Sequence, residues 1–143
     1  MTIDIDSPNN FPGAYCSTHI HYSLAHHNHT GFIGEKMAAE YLLKKGFTIL
    51  HQNWRHSHWE VDFIASLNST LHFIEVKTRR SRKFGYPEED VTKKKMENLI
   101  NASEEFIYLH PEWKLIQFDV LSINITANTS PEFFFIEDVY FNR

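Results

Sequence analysis

The chain has 143 residues, 42% of them hydrophobic and 22% charged, with five Gly, five Pro and a net charge of −4. That suits one domain with a core of ordinary size, and with no run of 18 apolar residues a membrane-spanning helix is not expected. The acidic balance, with a pI near 6.2, argues against a protein that coats nucleic acid by bulk charge.

Residues 1–30 lack a usable hydrophobic period and hold Pro8, Pro12, Gly13 and five of the ten histidines: His19, His21, His26, His27 and His29. They read as a flexible His-rich arm. The histidine spacings would give adventitious affinity for a transition metal, since nothing around them supplies a second shell. The N-terminus has neither a basic n-region nor an apolar h-region, so it does not read as a secretory signal. Cys16 is the only cysteine and permits no internal disulfide, which fits a reducing cytoplasm. In that compartment the Asn-x-Ser/Thr triplets at Asn28, Asn68, Asn101, Asn124 and Asn128 are chance matches.

The second segment, residues 31–143, reads as one folded domain. A helix is expected from Gly34-Glu35, with Met37, Ala38, Tyr41, Leu42 and Lys45 at helical spacing and Gly46 as its C-terminal stop. Phe47 to His51 reads as a short strand, and Asn53 to His56 as a connection. Trp59–Ala65 and Leu71–Thr78 read as strands around a turn-like Ser66–Thr70. Residues 79–90 form a polar, basic loop. Met96, Leu99, Ile100, Ser103, Phe106 and Ile107 then mark an amphipathic helix capped near Thr92 and ended by Pro111. Strands are expected at Lys114–Ile123 and Phe133–Val139. The order α-β-β-β-α-β-β predicts an α/β or α+β domain, a mixed central sheet flanked by helices.

Charge is uneven along this order. Between Lys77 and Lys95 there are eight Lys/Arg against three acids, a local +5 that leaves −9 for the remainder. Such a run is either a solvated face or one basic surface on an acidic body.

The central strands carry ionisable groups where a buried strand carries apolar ones. Alternation puts Leu71, Phe73, Glu75 and Lys77 on one face of their strand, and Glu60, Asp62 and Ile64 on one face of theirs. A hairpin turning at Asn68-Ser69 would set Asp62 opposite Glu75 and Glu60 opposite Lys77. Two carboxylates side by side repel unless a cation lies between them. Mg²⁺ is a hard, oxygen-seeking ion that accepts carboxylates, water and phosphate, and Lys77 could orient a water or stabilise charge on a phosphate. The alternative is a cross-strand Glu60–Lys77 ion pair with Asp62 at a sheet edge.

Asp62, a gap of twelve residues, then Glu75-Val76-Lys77 resembles the D…(D/E)-x-K core of the PD-(D/E)xK nuclease superfamily. The surroundings resemble one small bacterial family: Gly34-Glu35 with Ala38-Ala39 and Leu43, Gly46-Phe47 with Ile49-Leu50, Asn53-Trp54-Arg55 and Glu60 to Ala65. Phe73 to Arg79, Gly85 with Pro87, Val91-Thr92, Lys95 and Phe118-Asp119-Val120 extend the likeness. Together, over about residues 27–143, they look like the YraN-like family of predicted endonuclease-like proteins. The resemblance implies a restriction-endonuclease-like, Holliday-junction-resolvase-like fold.

By the same resemblance Glu35 joins Asp62 and Glu75 as a metal ligand, with Lys77 as the catalytic lysine and Mg²⁺ (Mn²⁺ as substitute) as the cofactor, while the shared strand face adds Glu60 in support. The alternative for Glu35 is an acid in the first turn favoured by the helix dipole. Arg79, Arg80, Arg82, Lys83 and Lys95 are candidates to meet a phosphate backbone, or else are solvated cations. Trp59 stands where many family members have Gly, and alternation puts it on the strand face opposite Asp62.

Three function classes follow: a metal-dependent endonuclease acting on DNA, including branched or damaged DNA; a non-catalytic nucleic-acid-binding protein on a nuclease-like fold; and a protein-interaction domain. The first is the leading reading. A homodimer is one way for a junction-cutting enzyme to address two strands, but the sequence leaves the oligomeric state open.

Overall fold

The computed structural model of the chain describes residues 29–80 and 92–139. Among them the elements are α1 (His29–Lys44), β1 (Thr48–His56), β2 (Trp59–Leu67), β3 (Thr70–Arg79), α2 (Lys93–Leu109), β4 (Leu115–Asn124) and β5 (Glu132–Ile136). This is the expected order. The sheet runs β1-β2-β3-β4-β5, antiparallel except where β3 meets β4 in parallel. A parallel pair needs a crossover, and α2 lies in it. No helix among the described residues is long and apolar enough to cross a membrane.

Two expected boundaries move. Helix α1 is described from His29, so the limit set after residue 30 falls inside a helix. The rest of the arm, with Cys16 and four of its histidines, lies outside the described residues. Gly34 weighs against helix by propensity, but a Cβ there would come within 1.8 Å of the Thr78 hydroxyl oxygen. Close packing of α1 on β3 therefore sets this residue, and tertiary contact overrides propensity. The far end matches the sequence reading. Gly46 takes φ +90, Phe47 N–H donates to the Leu42 carbonyl at 3.0 Å and Gly46 N–H to Leu43 at 3.1 Å, a Schellman stop.

The second correction is β1, which continues through Asn53-Trp54-Arg55 instead of ending in a connection there. It pairs with β2 as far as His56↔Trp59, with a register shift between Ile49 and His51. Asn53 at φ +51 interrupts the strand pattern, and Ser57 at φ +54 helps turn the chain. These irregularities hide the period that marks a strand in sequence. The β2–β3 turn is tighter than expected. Asn68 and Ser69, at φ 49 and 65, form a two-residue type I′ turn between paired Leu67 and Thr70.

Among the described residues one helix covers each face of the sheet. Ala38 and Leu42 of α1 pack with Phe47, Phe63, Ala65, Ile74, Leu121 and Ile123. On the other face Leu99, Ala102 and Phe106 of α2 pack with Val61, Ile64, Leu71, Phe73 and Phe118. Thr92 caps α2 as expected, its hydroxyl accepting from Lys95 N–H at 3.3 Å. Beneath α1 lies a buried polar pair that the sequence reading did not single out. His72 Nδ1 is 2.6 Å from Asp119 Oδ2, and Asp119 Oδ1 accepts from Gln117 Nε2 at 2.8 Å and Asp138 N–H at 3.0 Å. Asp119 thereby ties the segment after β5 to the sheet.

Candidate metal and phosphate site

The β2–β3 ladder runs from Leu67↔Thr70 to Phe63↔Ile74, the register expected for a turn at Asn68-Ser69. Beyond Phe63 the pairing ends and the strands part. Asp62 and Glu75 stand at this opening. In place of a ladder bond, Asp62 Oδ2 accepts the backbone N–H of Val76 at 2.7 Å. The cleft that opens there, about 260 Å³, is lined by His58, Glu60, Asp62, Glu75, Lys95, Asn98 and Leu99.

Glu75 is the centre. It is 6% exposed, and its Oε1 lies 2.7 Å from Lys95 Nζ and 3.1 Å from Lys77 Nζ. Lys77 reaches it from two residues along β3, as shared-face geometry requires. Lys95 reaches it from the first turn of α2. Its ammonium is directed into the acidic cluster, not outward to a phosphate as the sequence reading held open. Desolvation works against the charged form of Lys95, but the hydrogen bond it donates to Glu75 and the charges of Glu75, Asp62 and Glu60 outweigh it, and its pKa is raised.

Asp62 bears the strain of the cluster. Its pKa is pushed up to about 7, first by desolvation and then by the Glu75 charge, with a smaller push from Glu35; the Val76 hydrogen bond and Lys95 oppose the rise. Asp62 therefore senses the charges of both Glu75 and Glu35. The three carboxylates are not gathered into a ready cage, since no three His, Cys, Asp or Glu side chains among the described residues stand where they could jointly hold a metal ion. Glu35 Oε2 instead accepts from Asn53 Nδ2 at 2.9 Å. The close contact of Gly34 with Thr78 brings this part of α1 to the end of β3.

The donor set nevertheless fits Mg²⁺ or Mn²⁺. Asp62 and Glu75 offer hard oxygen ligands, and the rise at Asp62, led by desolvation with the Glu75 charge behind it, is one that an added cation would oppose. Glu60 departs from the expected cross-strand pairing. Arg55 Nη2 holds its Oε1 at 2.9 Å while both side chains stay largely exposed, and Lys77 pairs with Glu75. The physical reason is that the ladder stops at Phe63, so Glu60 faces its β1 neighbour Arg55.

Trp59 is also corrected. With Val61 it packs into the α2-side cluster, because alternation fails N-terminal to Phe63. Its ring lies 3.8 Å from that of His58 on the cleft rim, beside the site and not behind it. Of the basic candidates, Arg79 ends β3, Arg80 is exposed, and Arg82 and Lys83 lie outside the described residues.

The sequence reading missed Lys95 as a partner of Glu75, and Asn98 and His58 as cleft walls. A signal was present, since Lys95 continues the buried Leu99, Ala102, Phe106 stripe by one turn toward the sheet. Ser122 gave no such signal. It pairs with Lys77 across the parallel ladder and is fully buried, and its hydroxyl has no hydrogen-bond partner among the described residues.

Comparison with known proteins gives the chain a family. Residues 34–123 match the profile of the uncharacterised protein family UPF0102. The chain belongs to this family. Relatives include a UPF0102 protein of Clostridium perfringens (strain ATCC 13124), 38% identical over 112 residues that make up 77% of this chain and 92% of that protein. Another, from Syntrophomonas wolfei, is 44% identical over 101 residues, 70% of this chain and 88% of that one. The UPF0102 match spans the chain from α1 to β4, so Glu35, Asp62, Glu75, Lys77 and Lys95 all fall within it. Among solved structures the chain is similar to Hjc, a Holliday junction resolvase of Archaeoglobus fulgidus. That likeness has a TM-score of 0.46 and 19% identity, over 77% of this chain and 78% of that one.

Proposed function

We propose that this UPF0102 protein is a divalent-metal-dependent endonuclease that hydrolyses DNA phosphodiester bonds. One observation carries the reading: Asp62 and Glu75 line an open cleft where β2 and β3 part, with Lys77 paired to Glu75. Asp62 and Glu75, with Glu35 near, would hold Mg²⁺ or Mn²⁺. Such an ion polarises a phosphodiester and lowers the pKa of a bound water. The residues supply the remainder. Lys77, beside Glu75, positions the attacking water and stabilises charge that develops on the phosphate as the new P–O bond forms and the bond to the leaving sugar oxygen breaks. Arg80 and the exposed Lys93 and Lys94 lie on the basic stretch that would bear on the phosphate backbone.

The test is cleavage of single-stranded, duplex, flap and four-way-junction DNA with Mg²⁺ or Mn²⁺. Cleavage that EDTA stops and that Asp62→Ala and Glu75→Ala abolish supports the reading. Failure on every substrate, or cleavage that survives both variants, counts against it.

A second reading, a nucleic-acid-binding protein without cleavage, is favoured by Lys95 standing on Glu75 where a metal would bind. DNA retention in EDTA, weakened by salt and by Arg79/Arg80 changes but not by Asp62→Ala, would mark that case.

A further inference from the structure

Lys95 sits oddly for a residue on a basic, DNA-facing stretch. Its ammonium makes the shorter of the two contacts to Glu75 Oε1, 2.7 Å against 3.1 Å for Lys77. The two lysines are not equivalent. Lys77 is on the same strand as Glu75 and its side chain is 26% exposed, whereas Lys95 comes from α2 and is 51% exposed. Lys95 therefore has open solvent to move into, and Lys77 has little.

The backbone of Lys95 is held by the Thr92 cap, and the helix is anchored by Met96 and Leu99 packed beside it. Only the side chain has to swing. An ammonium on the central carboxylate of a cation site fills the role of the cation.

We propose that Lys95 is a resident counter-cation that competes with the divalent metal for Glu75. Metal binding expels its ammonium from the cluster into the cleft, where a phosphate can take it. This rests on the metal-site reading above and adds a control on loading. Metal entry would then have to displace the Lys95–Glu75 contact.

The test is Mn²⁺ affinity, measured on the full chain without DNA by titration calorimetry and by the electron paramagnetic resonance signal of free Mn²⁺. Lys95→Met keeps the apolar stem and removes the charge. It is expected to tighten Mn²⁺ binding by about tenfold, the scale of one charge-assisted hydrogen bond. Lys95→Arg keeps the charge and is expected to stay near wild type. Thermal melts without metal check that both variants fold.

Unchanged or weaker Mn²⁺ binding in a folded Lys95→Met protein overturns the proposal, as does Lys95→Arg tightening as much as Lys95→Met. Asp62→Asn separates the two levels. If it abolishes Mn²⁺ binding while Lys95→Met leaves affinity unchanged, only the competition fails. If it binds Mn²⁺ like wild type, the ion is elsewhere and the metal-site reading fails with it. Binding detectable only in Lys95→Met supports the proposal, and binding in neither refutes both.

Discussion

Replacing Asp62 by Asn should make the protein more stable at neutral pH. In the folded chain the Asp62 carboxyl is pushed from 3.8 to about 7 by desolvation and by Glu75. Below about pH 4 it is protonated in both folded and unfolded chains and costs nothing. Between 4 and 7 the unfolded chain releases its proton first, so each pH unit removes about 1.4 kcal/mol from stability. Above about 7 both states are ionised and the loss is complete, on the order of 4 kcal/mol.

Asn is nearly isosteric, keeps an oxygen to accept the Val76 N–H, and has no charge to lose. Urea unfolding of wild type and Asp62→Asn at pH 4.5, 6 and 8 reads the difference. The variant's advantage should grow with pH to a few kcal/mol at pH 8. Mg²⁺ should narrow it by stabilising only the wild type. An advantage independent of pH, or a variant less stable at pH 8, would refute the reasoning.

Two further outcomes test the frame that holds the site. Gly34→Ala drives a methyl into Thr78 and should cost about 1–3 kcal/mol, the usual range for overpacking. Thr78→Ala in the same chain should recover part of that, read as non-additivity in denaturant melts. Asp119→Ala leaves the buried His72, Gln117 and Asp138 N–H without their acceptor. It should cost about 1–3 kcal/mol for the buried His72 hydrogen bond left unmet and raise hydrogen exchange at residues 137–139 before the sheet opens.

The candidate site was legible in sequence to the extent that regular strand geometry governs it. Alternation placed Glu75 and Lys77 together, and the Asn68-Ser69 turn set the register that brings Asp62 to Glu75. The α2 stripe, its Thr92 cap and the Gly46 stop depend on neighbours in the chain and were equally readable.

What failed lies where the ladder ends or where distant elements meet. Extending the β2–β3 pairing past Phe63 put Glu60 on Lys77 and Trp59 behind the sheet. The strands part there, so Glu60 turns to Arg55 and Trp59 joins the α2-side core. The length of β1 was hidden by Asn53 and Ser57 at positive φ. Lys95 on Glu75 and His72 on Asp119 join groups 20 and 47 residues apart, and no local period reports such contacts.

The central claim is that the open end of β2 and β3 holds a divalent cation for phosphate chemistry. Anomalous diffraction from crystals soaked in Mn²⁺ tests it most directly. The expected result is a peak between Asp62 and Glu75 with the Lys95 ammonium withdrawn from Glu75 Oε1. Crystals that take up Mn²⁺ elsewhere or not at all, with Lys95 still on Glu75, would contradict it.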